Sequence, residues 1–189
     1  MRHGYIKTAA ATPYITVADC RANGEEIIRL ICEMEKEHTK VMVFPELCIT
    51  GYTCQDLFLQ RRLLDSAWET LMRIAAETAD VDALIFLGVP VRNKGKLYNV
   101  AAVLNRGEIL GLVPKSYLPN YGEFYEQRHF VSGLGCLEFM SINGKKIPFG
   151  TNLLFVCEEL QELIVAAEIC EDLWVNMPPS VIHAQAGAN

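Results

Sequence analysis

The stretch Leu163-Ile-Val-Ala-Ala-Glu-Ile-Cys-Glu-Asp-Leu-Trp174 decides how this chain is read. Its first half is an apolar run of strand length with β-branched residues. Polarity then switches abruptly at Cys170-Glu171-Asp172. Pro178 and Pro179 follow, and they mark the start of a helix over Ser180 to Ala186. A buried strand that hands a thiol to its own carboxyl end places it where α/β sheets bind ligands. A lone cysteine is equally a small buried hydrophobe, so the reading needs support from elsewhere in the chain.

Two other stretches supply it. Val41-Met-Val-Phe-Pro-Glu46-Leu-Cys-Ile-Thr-Gly-Tyr52 is a short apolar strand ended by Pro45, with a carboxylate at its exit. Gly111-Leu-Val-Pro-Lys115-Ser-Tyr-Leu-Pro119 is a strand ended by Pro114, with a cation in the same place. A Glu, a Lys and a Cys, each leaving a strand at its carboxyl end, are expected to meet at one edge of one sheet. The segments between them alternate strand and helix patterns with hairpins, so the class is α/β with a mixed sheet.

In the order of the chain, strands are expected at Ile6 to Ala10 and Ile15 to Ala18, with a break near Pro13. Asn23 can cap a helix carrying Ile27, Leu30, Ile31 and Met34 at helical spacing. Asp56 opens a second helix through Leu64, Trp68, Leu71 and Ala75. Ala83 to Val89 reads as a strand buried on both faces. Leu97 to Leu104 and Ile109 to Val113 form a hairpin around Asn105-Arg-Gly-Glu. Tyr117 to Phe130 is a long loop rich in aromatics and charge, a type that usually carries function. A strand region begins after Ser132-Gly-Leu-Gly, Ile142-Asn-Gly-Lys-Lys is a hairpin turn, and Leu153 to Cys157 is the strand before the opening stretch.

Phe-Pro-Glu46, Pro-Lys115-Ser-Tyr-Leu-Pro and Glu-Ile-Cys170-Glu-Asp-Leu-Trp together resemble the Glu-Lys-Cys signature of the nitrilase superfamily of carbon-nitrogen hydrolases. The longer strings Tyr117-Leu-Pro-Asn-Tyr-Gly-Glu-Phe-Tyr-Glu-Gln-Arg-His-Phe130 and Cys170-Glu-Asp-Leu-Trp-Val-Asn-Met-Pro-Pro-Ser180 resemble the glutaminase domains of glutamine-dependent NAD+ synthetases. The resemblance runs from about Tyr5 to the last residue. It implies a four-layer α-β-β-α sandwich, incomplete at the C-terminus, with residues 1–189 as the N-terminal part of one glutaminase domain and the synthetase domain absent. A chain of this kind is expected to be a weak glutaminase by itself and to self-associate as a homo-oligomer.

The chemistry follows from the residue types. An amide needs a strong nucleophile, and cysteine serves only as thiolate. Glu46 is the candidate base, and Lys115 the candidate partner of the oxyanion. By the resemblance, Glu126 is the family's second glutamate, which fixes the lysine; its plainer reading is an ion pair with Arg128. Tyr121, Phe124, Glu171 and Trp174 match positions lining the glutamine pocket, where a carboxylate suits the α-ammonium and aromatics suit the methylenes. Tyr52, just beyond Glu46, is a further candidate wall. The alternatives are a stand-alone amidase acting on another small amide and a non-catalytic module of the same fold.

Composition bounds the partners. In 189 residues, hydrophobic content is 51% and net charge −6, enough apolar material for a core and the wrong sign for nucleic acid. No apolar run approaches membrane-spanning length. The N-terminus Met-Arg-His-Gly-Tyr lacks a signal-type apolar core, and seven unpatterned cysteines read as reduced thiols in a cytoplasm. Cys48 and Cys54 lack the spacing and partners of a zinc site, so no metal is expected. There is no glycine-rich phosphate loop. ATP and Mg²⁺ are expected only with the absent synthetase domain, and the partners expected for this part are L-glutamine and that domain.

Overall fold

The structure is a computed structural model and describes residues 5–189; Met1-Arg-His-Gly, read above for targeting, lies outside them. Strand β1 (Thr8–Ala10) leads to helix α1 (Cys20–Lys36), and β2 (Val41–Val43) follows. Helix α1 is capped by Asp19, whose carboxylate accepts the Ala22 N–H, and not by Asn23 as the sequence suggested. Asn23 is buried instead, and its side chain bonds the backbone of Thr16 and Ile49. Those bonds hold residues 15–18 as a loop and turn, so the strand expected there does not form. The second helix also starts later than expected. Asp56 sits in a 3-10 turn (Gln55–Leu59), and α2 spans Arg61–Glu77.

Three long strands follow, β3 (Leu84–Asn93), β4 (Lys96–Asn105) and β5 (Glu108–Pro114), and then the hairpin β6 (Leu137–Ile142) and β7 (Lys145–Gly150). These strands form one seven-stranded mixed sheet in the order β1-β2-β3-β4-β5-β7-β6. Strands β1, β2 and β3 are parallel, and β3, β4 and β5 alternate in direction. Two reversals return β5 to the direction of β2. Both strands therefore end at the same edge of the sheet.

The two faces of this sheet are covered differently. Helices α1 and α2 bury Ile27, Ile31, Leu71 and Ile74 against one face. Each such aliphatic side chain contributes roughly 1.5–3 kcal/mol by burial. The other face presents Val41, Phe86, Val103 and Val113 to Leu153, Phe155, Val165 and Ala167. Phe155 and Val165 belong to a separate two-stranded sheet of β8 (Phe155–Val156) and β9 (Ile164–Val165). The strands expected at 153–157 and 163–169 are thus much shorter than read; residues 166–169 run extended without ladder partners. A 3-10 turn (Cys170–Trp174) and helix α3 (Pro179–Gln185) complete the chain. The architecture is an α/β sandwich of helices, large sheet and second sheet, in line with the expected class. Among the described residues no helix is long and apolar enough to cross a membrane.

Candidate active site

Glu46 and Lys115 leave the main sheet at the shared edge, one just past β2 and the other directly after β5. Each exit is shaped by the local chain. Leu47 adopts φ +52, so the backbone turns sharply beside Glu46. That turn presses against β3 at Gly88, where an added Cβ would lie 2.1 Å from the Leu47 nitrogen and 2.4 Å from the Pro45 oxygen. Only glycine fits there. The Lys115 N–H donates to the carbonyl of Asn99 on β4 at 2.8 Å, which fixes the lysine backbone against its neighbouring strand.

The side chains converge. Lys115 Nζ lies 2.6 Å from Glu46 Oε1, and 2.8 and 3.0 Å from the two oxygens of Glu126. The lysine side chain is 0% exposed, and those of Glu46 and Glu126 are 16% and 4% exposed. Two carboxylates thus hold one buried ammonium. Burial alone pulls the lysine pKa down, but the two carboxylates outweigh it, so the group stays above its ordinary value and charged. Glu126 is pushed up, first by burial and then by the Glu46 charge, while Lys115 and Tyr52 pull it back. Tyr52 donates its hydroxyl to Glu126 at 2.7 Å. Arg128 pairs with Asp56 at 2.7 Å, which leaves Glu126 to the lysine.

Cys170 arrives from the other layer. The sequence placed all three exits on one sheet; the structure brings the cysteine in from the segment after β9, across the inter-sheet gap. Its φ is +48, in the left-handed region that costs a non-glycine residue about 1–3 kcal/mol. The thiol is pushed above its ordinary value, first by burial and then by the facing Glu46 carboxylate, with Lys115 opposing. A cavity of about 350 Å³ opens between the layers, lined by Phe44, Glu46, Phe86, Asn99, Glu168 and Cys170 among others.

The remaining candidates divide. Tyr52, Phe124 and Tyr121 form a chain of edge-on aromatic contacts, with ring centroids 6.4 and 5.9 Å apart. Tyr121 donates its hydroxyl to Glu171 at 2.8 Å, beside Cys170 in sequence. Glu171 and Tyr121 line a second hollow of about 670 Å³ under the 116–134 loop. Trp174 is 74% exposed and lines neither space. Two residues escaped the sequence reading. Asn99 donates its side-chain N–H to Glu46 Oε1 at 2.5 Å; its only signal was a polar residue inside an apolar strand. Asp172 is 2% exposed and accepts backbone N–H groups on both sides of the site. It stood inside the quoted stretch, but no pattern marked its role. Among the described residues no three His, Cys, Asp or Glu side chains group as metal ligands do.

Comparison with known proteins agrees with this architecture. The family model described as carbon-nitrogen hydrolase matches residues 7–189, and the chain belongs to that family. Within it, the chain is 40% identical over 187 residues to a glutamine-dependent NAD(+) synthetase of Mycobacterium tuberculosis, covering 99% of this chain and 28% of that protein. A protein of the same name from Aquifex aeolicus is 36% identical over 84% of this chain and 24% of its own length. The chain therefore spans about a quarter of the length of these curated relatives. The crystal structure of a glutamine-dependent NAD(+) synthetase from Cytophaga hutchinsonii superposes with a TM-score of 0.84 at 32% identity, over 97% of this chain and 29% of that one. An amidase from Nesterenkonia sp. shares the fold at 21% identity and a TM-score of 0.60, over 78% of this chain and 56% of its own.

Proposed function

We propose that this chain hydrolyses the side-chain amide of L-glutamine, releasing ammonia for the ATP-dependent amidation of deamido-NAD+ to NAD+. The observation that carries this reading is the buried Lys115 ammonium held between Glu46 and Glu126, with Glu46 and Cys170 lining one cavity. The names of the relatives support glutamine as the substrate.

Because the thiol sits above its ordinary pKa, a base must take its proton as it attacks. Glu46 is that base. Sγ bonds to the amide carbon, and the C=O electrons move onto oxygen. The oxyanion is stabilised by the fixed charge of Lys115 and by a backbone N–H following Cys170. On collapse the C–N bond breaks, Glu46 returns its proton to nitrogen, and ammonia leaves a thioester on Cys170. Water, deprotonated by Glu46, attacks that thioester. The C–S bond breaks, the thiol regains its proton, and glutamate departs. Glu126 keeps the ammonium in place, and Tyr52 keeps Glu126 in place. Glu171 takes the α-ammonium of glutamine, with Tyr121 and Phe124 beside its carbon chain; Trp174, which lines neither space, has no part in this reading.

ATP and Mg²⁺ act in the synthetase domain, the partner of this part in the longer protein. We assign the reaction to the cytoplasm, in keeping with seven unbridged cysteines, and a homo-oligomer as the assembly. The test is ammonia release from glutamine by the purified protein, with Cys170→Ala as control. Release from glutamine that disappears in the variant supports the reading. Release from other small amides but not from glutamine replaces it with a general amidase, and equal release by both proteins removes Cys170 from the chemistry.

A further inference from the structure

Asp172 has no chemical part in the mechanism above, yet it is among the most deeply buried acids in the described chain. A carboxylate does not sit at 2% exposure without partners. Its partners are all backbone. Oδ1 accepts the N–H of Ser116 at 3.1 Å and of Tyr117 at 2.8 Å. Oδ2 accepts the N–H of Ile169 at 3.0 Å. The Asp172 N–H in turn donates to the Ile169 carbonyl at 3.1 Å. Burial raises the carboxyl above its ordinary value, while these donors and the nearby Lys115 charge pull it back.

The position of these donors matters more than their number. Ser116 and Tyr117 directly follow Lys115 on the exit from the main sheet. Ile169 directly precedes Cys170 on the segment from the second sheet. These two segments belong to different layers that share no strand pairing. Cys170 itself is in the strained left-handed region, which persists only where its surroundings over-determine it.

We infer that Asp172 is a positioning residue that ties the Lys115 exit to the Cys170 elbow and so fixes where the thiol sits relative to Lys115 and Glu46. The inference rests on the proposed role of Cys170 but does not depend on the substrate. Losing the tie should let the elbow relax, moving the thiol away from its place beside the Glu46 carboxylate. A shift of about 1 Å in such a site costs on the order of 10²-fold in rate.

The experiment follows alkylation of Cys170 by iodoacetamide against pH, read by mass spectrometry of the Cys170 peptide, in the wild-type chain, Asp172→Asn and Asp172→Ala. Thermal melting is recorded beside it. Wild type should show a midpoint above that of an ordinary thiol. In Asp172→Ala the midpoint should fall toward about 8.5, with Asp172→Asn between the two, since it keeps one acceptor oxygen. Glutamine hydrolysis should lose roughly 10²-fold in kcat with KM little changed. Folded variants that keep the wild-type alkylation profile overturn the inference. So does an Asp172→Asn chain that fails to fold, since the carboxylate would then support the fold as a whole. A wild-type chain that shows the alkylation shift with Asp172 but never hydrolyses glutamine sinks the proposed function and leaves the positioning role standing.

Discussion

Glu46 and Glu126 are 80 residues apart in sequence, yet both reach the same Lys115 Nζ, at 2.6 and 2.8 Å. That ammonium is the one charge separating two carboxylates, and its removal leaves them facing each other with no counter-ion. Lys115→Met should therefore abolish amide hydrolysis and destabilise the fold by about 3–5 kcal/mol, as expected when one partner of a buried ion pair is removed. Adding Glu126→Gln in the same chain should restore part of the stability but none of the activity. Chemical denaturation of the two variants measures both; a Lys115→Met chain as stable as wild type would contradict the arrangement.

The Glu46 turn lies directly on Gly88, with no room for a side chain. Gly88→Ala should push the turn outward by a large fraction of an ångström. Its effect on kcat should approach 10²-fold, although residue 88 touches no substrate. Steady-state kinetics checks this, and undiminished kcat in a folded variant would show that the turn tolerates displacement.

Tyr52→Phe deletes the hydroxyl that donates to Glu126 at 2.7 Å. A hydrogen bond to a charged group contributes about 1.5–3 kcal/mol. The loss should appear in urea unfolding at neutral pH and shrink in acid, where Glu126 is protonated. Glu126 has its pKa raised on folding, so the folded chain binds that proton more readily than the unfolded one. Its own contribution thus favours the fold at low pH and declines as pH climbs through the raised value.

Glu171→Gln should raise KM for glutamine at least tenfold and leave Cys170 alkylation unchanged. It removes the charge proposed for the α-ammonium and keeps the side-chain oxygen that accepts from Tyr121. A lowered kcat with unaltered KM would move Glu171 out of the pocket and into the chemistry.

Much of the site was legible because its residues stand at strand exits, where proline breaks and polarity switches mark the sequence at Pro45-Glu46 and Pro114-Lys115. Both sit where the pattern put them. Cys170 was legible as a strand-exit thiol, but its sheet was not: period and composition identify a strand and say nothing of its partner. Asn99 and Asp172 were illegible for a related reason. Their roles come from contacts with residues 53 and 56 positions away, which no local pattern encodes. The capping error at Asn23 has the same origin, since its amide is committed to Thr16 and Ile49.

Gly111 leaves the face of β5 open, and Leu153 and Phe155 fill the space; a Cβ there would come within 2.9 and 3.1 Å of them. Phe155 also meets Phe86 edge-on at 6.0 Å between ring centroids. The second sheet rides on these side chains, and Cys170 rides on the second sheet. Phe155 is therefore a shim. Its thickness bears on the clearance between Cys170 and Glu46, so a methylene gained or lost there would shift the two side chains relative to each other from outside the cavity.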